Sequence, residues 1–324
     1  MRNSGRDITL IVATRNRARH LERMLKSIER QAIEYLSCEV IVVDNGSQDD
    51  TQSVLKRSLS GFTLVTLYEE RAGKSRALNR GLDIASGDLV VFTDDDVTAS
   101  PVWLRSLYEA YRKYGSARGF CGPIVPVFPP GTPEWIPDHK RANVMFGKFT
   151  PNSAEGPLPV DMLPCGANFA VRSSAMEGMR FRLDLGPSEE NGPSFGEDSE
   201  FIDKLRSKRE DIVFVPAARV EHHIKPADIE LSSLMERSFH LGRGLAASAR
   251  KSVMLEPIDQ GPQWRFERGG LINHYLGQLC QLNLLGLLSF DQELLQALDQ
   301  LEVRSNLDLL AKSARQFYFS RPDL

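Results

Sequence analysis

Leu89-Val90-Val91-Phe92-Thr93-Asp94-Asp95-Asp96 is the stretch that decides how this chain is read. Five mostly apolar residues describe a buried strand, and three carboxylates close it. Adjacent anions repel one another unless a cation neutralises them. Hard divalent cations such as Mg²⁺ or Mn²⁺ take oxygen ligands, often one or two carboxylates together with phosphate oxygens of a nucleotide. In open α/β sheets, ligands bind beyond the carboxyl ends of the strands. An ordinary acidic turn is the plainer alternative for the same residues.

Working outward from that strand, the pattern alternates. Residues 8–13 form a β-rich apolar run. Leu21, Met24, Leu25 and Ile28 then recur at helical spacing among Arg, Glu and Lys, as on a surface helix packed against a sheet. Residues 39–43 read as a second strand ended by the turn chemistry of Asp44-Asn45-Gly46-Ser47, and 63–68 read as a third. A helix is expected over 74–85 and another after Pro101, through Trp103, Leu104, Leu107 and Tyr111. Strands alternating with helices imply βαβ units and a mostly parallel sheet. From Pro123 to Pro164 the chain turns rich in Pro and Gly, predicting short strands and ordered loops. A helix over 198–208 and a strand over 212–215 follow. From about Ile229 only helices are expected.

The 324 residues suffice for one large or two ordinary domains. With 41% hydrophobic and 26% charged residues the composition is that of a soluble globular protein, and a net charge of −3 without a dense basic run argues against nucleic-acid binding. Cys38, Cys121, Cys165 and Cys280 are scattered without a CxxC pair, as expected of small buried hydrophobes in a reducing compartment. No apolar leader follows Met1. The window 271–290 is apolar but carries Asn273, His274, Gln278, Gln281 and Asn283, so an amphipathic helix packed on the body is expected there, not a membrane span.

Each candidate motif has a structural alternative. Asp44 at a strand end suits the ring N–H of a base or a ribose hydroxyl, or else an Asx turn. Glu197-Asp198 after a Gly/Pro-rich stretch suits a general base, or else a helix cap. His222 and His223 suit a Mn²⁺-like ion, or else a plain histidine pair. The glycine-rich dinucleotide turn is absent after the first strand, and Gly73-Lys74-Ser75 lacks the upstream glycine of a phosphate loop.

Taken together and in order, these segments resemble family 2 glycosyltransferases of the GT-A fold, over about residues 8–244. Ile11-Val12-Ala13-Thr14-Arg15-Asn16-Arg17 is similar to the opening V-I-P-T-x-N-R, with Ala13 in place of the usual proline. The run 40–47 resembles the second strand with its nucleotide-binding Asp. Residues 71–81 are similar to the G-x-x-x-A-x-N-x-G segment, and Asp94-Asp95-Asp96 to the D-x-D metal motif. Gly166-Ala167-Asn168-Phe169-Ala170-Val171-Arg172 resembles the acceptor-side G-A-N-x-A-x-R, Gly196-Glu197-Asp198 the E-D motif, and Val220-Glu221-His222 the strand-end histidine. The stretch 186–194 is longer than the common form.

The resemblance implies a GT-A domain over 1–228, with a nucleotide-sugar half (1–118) and an acceptor half (119–228), and a helical extension over 229–324. It implies an inverting transfer from a nucleoside diphosphate sugar, uridine the expected base, to a carbohydrate or lipid-linked acceptor hydroxyl. Thr14, Arg15, Asn16, Arg17, Asp44, Asn45, Arg71, Lys74, Asn79, Asp94 and Asp95 are expected on the donor side. Gly166, Ala167, Asn168, Arg172 and Glu197 are expected on the acceptor side. Asp96, Asp94 and one of His222 and His223 would hold Mn²⁺ or Mg²⁺, and Asp198 is the expected base, with Glu197 as its neighbouring alternative. A cytoplasmic place follows, with peripheral contact at the inner membrane face as an option. Two other readings compete: a haloacid-dehalogenase-like phosphatase with Asp94 as nucleophile, and a catalytically idle nucleotide-sugar-binding module.

Overall fold

The structure is a computed structural model, and it describes residues 5–132, 146–160, 162–188, 196–206 and 211–230, with Ile136 and Ser233. Met1–Thr132 and Phe146–Pro226 make one compact unit. The helices expected over 229–324, including the 271–290 window, lie almost wholly outside the described residues.

The first four strands are β1 (Arg6–Thr14), β2 (Cys38–Asp44), β3 (Thr63–Tyr68) and β4 (Gly87–Asp94). They pair in parallel in the order β3-β2-β1-β4. Helices α1 (Ala18–Ile28), α2 (Thr51–Leu55) and α3 (Lys74–Ile84) connect them. The chain steps from β1 to β2 on one side and later returns to place β4 on the other. The carboxyl ends of β1 and β4 therefore meet at a switch point, with Ala13 opposite Asp94.

Continuous apolar strands are explained by burial on both faces. In β1, Ile8, Leu10 and Val12 face one core with Leu21, Met24 and Leu25 of α1 and with Trp103, Leu104 and Leu107 of α4 (Trp103–Lys113). Ile11 faces the other core with Ala77, Leu78 and Leu82 of α3 and with Phe201, Ile202 and Leu205 of α5 (Glu197–Leu205). Each fully buried Leu, Ile or Phe contributes about 1.5–3 kcal/mol relative to exposure, so a charge at either parity of β1 would disrupt one core.

The sheet is more mixed than the alternating pattern predicts. Beyond β4 come β9 (Phe169–Arg172), β6 (Gly119–Cys121), β10 (Ile212–Phe214) and β8 (Gly156–Pro157), and β9 runs antiparallel to both β4 and β6. Antiparallel β9 carries Gly166, Ala167 and Asn168, just before its start, back over the end of β4. The Pro/Gly-rich stretch does hold short strands, β7 (Ile124–Val127) and β8. A small second sheet, β5-β11-β7, is formed with β5 (Val97–Ala99) and β11 (Val220–His223). Its register sets His222 opposite Val97, one residue from Asp96.

Candidate active site

The three carboxylates at the end of β4 part company. Asp94 is half-buried and its Oδ1 lies 2.8 Å from Lys74 Nζ. Asp95 is buried and accepts from the Thr14 hydroxyl at 2.7 Å and from Arg17 Nη1 at 2.9 Å. Asp96 Oδ2 accepts from the same Arg17 nitrogen at 2.6 Å, while Oδ1 lies 3.5 Å from His222 Nε2. Burial raises the Asp95 carboxyl to about 6, with Arg17 pulling it down and Asp96 pushing it up. Burial acts on Asp96 the same way, but His222 and Arg17 outweigh it and hold the carboxyl well below the usual range.

His222 and His223 are separated by strand alternation. His222 Nδ1 meets the Phe146 carbonyl at 2.8 Å; a carbonyl only accepts, so Nδ1 carries the proton and Nε2 faces Asp96. Burial would lower this imidazole, but Asp96 outweighs it and the net direction is upward. His223 Nε2 is instead 2.9 Å from the Thr98 hydroxyl.

Asp96 Oδ1 is buried and has no hydrogen-bond partner among the described residues. A carboxylate oxygen and an imidazole nitrogen that face each other hold either a shared proton or a cation, so these residues fit Mn²⁺ or Mg²⁺. No group of three or more His, Cys, Asp or Glu is gathered for a metal among the described residues. Other coordination positions would fall to phosphate and water, as is common for Mg²⁺.

Across from this corner is the start of α5. Asp198 is half-buried; its Oδ2 accepts from the Gly166 N–H at 2.8 Å and its Oδ1 from the Ser199 N–H at 2.7 Å. Glu197, one residue earlier, is buried, and its Oε1 lies 3.3 Å from Lys74 Nζ. Burial pushes Glu197 up to about 7, with Lys74 opposing and Asp198 and Asp94 adding to the rise. Lys74 is held well above its ordinary value: burial would lower it, but Asp94, Glu197 and Asp198 outweigh that. Residue 186 has φ +79, and a Cβ there would come within 3.0 Å of the Glu197 carboxylate, so glycine is needed for both reasons. One cleft is lined by Lys74, Asp94, Thr93, Gly166 and Asp198 over an apolar floor that includes Phe92, Phe181 and Phe201.

Several expected donor and acceptor residues spend their polar atoms on the scaffold. Asp44 is fully buried; it accepts from the Ser47 N–H, three residues on, at 2.9 Å and from the Gln52 amide. Asn45 donates to the Glu69 and Arg71 carbonyls and accepts from Gly73. Asn79 exchanges two 2.9 Å bonds with the backbone of Phe181. Asn168 is fully buried between Trp103, Pro123 and Ala218. Arg172 donates to the Tyr111, Tyr114 and Ala117 carbonyls and lies over the Tyr111 ring. Ala167 accepts from the Thr93 hydroxyl. Arg15 and Arg71 are exposed, and Asn16 is held in a left-handed turn (φ 53) by Ser47 and Gln48. Phe146, Thr98 and Phe181 carry no local signal that marks them for the site; only the tertiary pairing brings them there.

A family model described as glycosyl transferase family 2 matches residues 9–179. The chain belongs to this family. It is 27% identical over 245 residues to the succinoglycan biosynthesis protein ExoM of Rhizobium meliloti, covering 75% of each chain. It is 26% identical over 252 residues to the GalNAc(5)-diNAcBac-PP-undecaprenol beta-1,3-glucosyltransferase of Campylobacter jejuni, covering 73% of this chain and 76% of that one. Its fold is similar to that of a mannosyltransferase from Pyrobaculum calidifontis solved with GDP-Man and Mn²⁺ (TM-score 0.54, 22% identity, 98% of this chain and 83% of that one). It is also similar to S. aureus TarS solved with UDP (TM-score 0.53, 17% identity, 77% and 67%). The protein is thus a family 2 glycosyltransferase of GT-A type, and the phosphatase reading falls with that membership. No helix among the described residues is long and apolar enough to cross a membrane.

Proposed function

We propose that this family 2 glycosyltransferase is a cation-dependent, inverting enzyme that moves a sugar from a nucleoside diphosphate donor to an acceptor hydroxyl. The observation that carries the reading is the single cleft lined by both Asp94 with Lys74 and Asp198. The donor side and a candidate base thereby face one volume. Uridine is the preferred base by family likeness. The acceptor is read as a carbohydrate or lipid-linked glycan, because the C. jejuni relative is named for an undecaprenol-linked chain and the R. meliloti relative for succinoglycan synthesis. Work on a lipid-linked acceptor would place the enzyme in the cytoplasm, at the inner membrane face.

Asp96 and His222 would hold Mn²⁺ or Mg²⁺, which when bound neutralises charge on the leaving diphosphate. Lys74 sets a third N–H and a full positive charge beside the donor, held by Asp94 and Glu197. Asp198 takes the proton of the acceptor hydroxyl as that oxygen bonds to the anomeric carbon and the carbon–diphosphate bond breaks on the opposite face. Glu197 suits this base role less, because it is buried behind Lys74 and does not itself line the cleft. Asn45, Asn79, Asn168 and Arg172 act by holding the walls in register.

Thermal-shift screening of UDP-, GDP- and dTDP-sugars, with and without Mn²⁺, identifies donor and cation together, since preferential binding stabilises by mass action. With that donor, Asp198→Asn is expected to keep nucleotide affinity and lose roughly 10²–10⁴-fold in turnover. Near-normal turnover in this variant would remove Asp198 as the base.

A further inference from the structure

Arg17, expected on the donor side, is committed to the acid corner. One nitrogen, Nη1, bridges Asp95 Oδ1 at 2.9 Å and Asp96 Oδ2 at 2.6 Å. The Thr14 hydroxyl takes the other Asp95 oxygen, and Lys74 takes Asp94. Within this corner, Asp96 Oδ1 is the buried carboxylate atom left without a hydrogen bond to the described residues. The turn that carries Arg17 is itself tied down. Asn16 is pinned between Ser47 and Gln48, and the Ala18 N–H is capped by Asp49 at 2.9 Å.

We propose that Arg17 is a built-in counter-cation, a positioning residue that keeps the acid corner from capturing a divalent ion alone and leaves Asp96 a single oxygen to offer when a diphosphate arrives. The proposal rests on the reading of Asp96 and His222 as cation ligands.

Three consecutive carboxylates without counter-charge would trap divalent cations strongly. Arg17 supplies one positive charge against the two carboxylates it bridges, Asp95 and Asp96, so that pair keeps about one net negative charge. A guanidinium does not vacate by losing its proton, and a single nitrogen of Arg17 reaches both Asp95 and Asp96. Consuming Asp96 Oδ2 also prevents bidentate capture, so the protein offers one oxygen and one imidazole nitrogen. That donor set is too small to dehydrate Mg²⁺ or Mn²⁺ fully. A diphosphate adds both ligands and negative charge. Cation and donor would therefore enter together, and the free enzyme would leave the corner to Arg17.

The test is Mn²⁺ affinity, read from the loss of the free-ion electron paramagnetic resonance signal, for the full chain and for Arg17→Lys and Arg17→Gln, alone and with UDP or GDP. Wild type is expected to bind Mn²⁺ weakly alone and roughly tenfold or more tightly with a nucleotide. Arg17→Gln, which removes the charge, is expected to tighten Mn²⁺-alone binding by roughly tenfold. Arg17→Lys, which keeps the charge but carries it on a shorter chain that does not reproduce the Nη1 bridge, is expected to tighten it by roughly two- to fivefold. If the glutamine variant does not fold, the lysine variant decides. Mn²⁺-alone affinity equal to or weaker than wild type in the folded variants overturns the proposal. Mn²⁺ binding that ignores nucleotide in wild type and is unchanged in Asp96→Asn overturns the underlying cation reading instead.

Discussion

Gly166 donates its backbone N–H to Asp198 Oδ2 at 2.8 Å, and a Cβ on residue 166 would stand 2.6 Å from the Cβ of Asp198. The acceptor-side segment thus places the proposed base twice, by a hydrogen bond and by having no side chain in its way. Gly166 is not among the glycines with positive φ, so alanine brings a steric contact without backbone strain. Gly166→Ala is expected to push the carboxylate aside and lower kcat by roughly 10²-fold, the cost of a misplacement of about 1 Å. Nucleotide affinity, measured by calorimetry, should stay within twofold of wild type. A variant that turns over normally would show that Asp198 needs no such placement.

Glu197 and Lys74 make a separate case. Glu197→Gln preserves shape and removes one of two carboxylates that hold the ammonium. Donor KM is expected to rise roughly fivefold, as for a hydrogen bond of about 1 kcal/mol, while the acidic limb of the pH–rate profile stays where it is. Stability carries a second signature. The folded value near 7 lies above the ordinary 4.5, so the folded state binds the extra proton between those pH values. The Glu197 contribution is fully present below about 4.5 and is lost as pH rises through about 7. Thermal melts across that window should therefore slope less steeply in Glu197→Gln than in wild type.

Much of this architecture is legible in the residues, and the parts that are not share a cause. β1, β2 and β4 announce themselves because burial on both faces demands an unbroken apolar run, and α1 and α3 because burial on one face leaves a helical stripe. β5 and β9 do not. They are three and four residues long, and their pairing with β11 and β4 is set across long separations that leave no local pattern. The same holds in the site. Asp96, Asp198 and His222 sit at strand or helix ends, positions that mark them as candidates in the sequence. Asn79 and Asn168 look equally like ligand contacts, because an amide that grips a sugar and one that grips a carbonyl are the same residue. The engagement of Arg17 depends on the left-handed turn at Asn16, which three polar residues in a row do not foretell.

Asp96→Ala and His222→Ala test the cation corner by a route independent of turnover. A ligand at about a hundred times its Kd stabilises by about 2.7 kcal/mol, so nucleotide with Mn²⁺ should raise Tm clearly more than nucleotide alone in wild type. Asp96→Ala is expected to abolish that Mn²⁺-dependent increment, because it removes the charged ligand. His222→Ala is expected to reduce it only in part, since imidazole contributes a neutral lone pair. His223→Ala should leave it intact, because that ring is turned to Thr98. Equal losses in the two histidine variants would contradict the assignment made from strand register.

Asn168 separates scaffold from acceptor contact. Its side chain is fully buried, accepts from Trp103 Nε1 at 2.9 Å and donates to the carbonyls of Pro123 at 3.0 Å and Ala218 at 2.7 Å. Asn168→Ala strands three polar groups in a dry interior, each at a cost of about 1–3 kcal/mol. The sum, about 3 kcal/mol or more, is a large share of the 5–15 kcal/mol typical of a folded domain. The expected result is a lower urea midpoint with an unchanged m-value. Asn168→Asp should be no milder, because it loses both amide donors and buries a charge against two carbonyls. An acceptor-binding role predicts the reverse pattern, a raised acceptor KM at full stability, and the two measurements made on one preparation distinguish them.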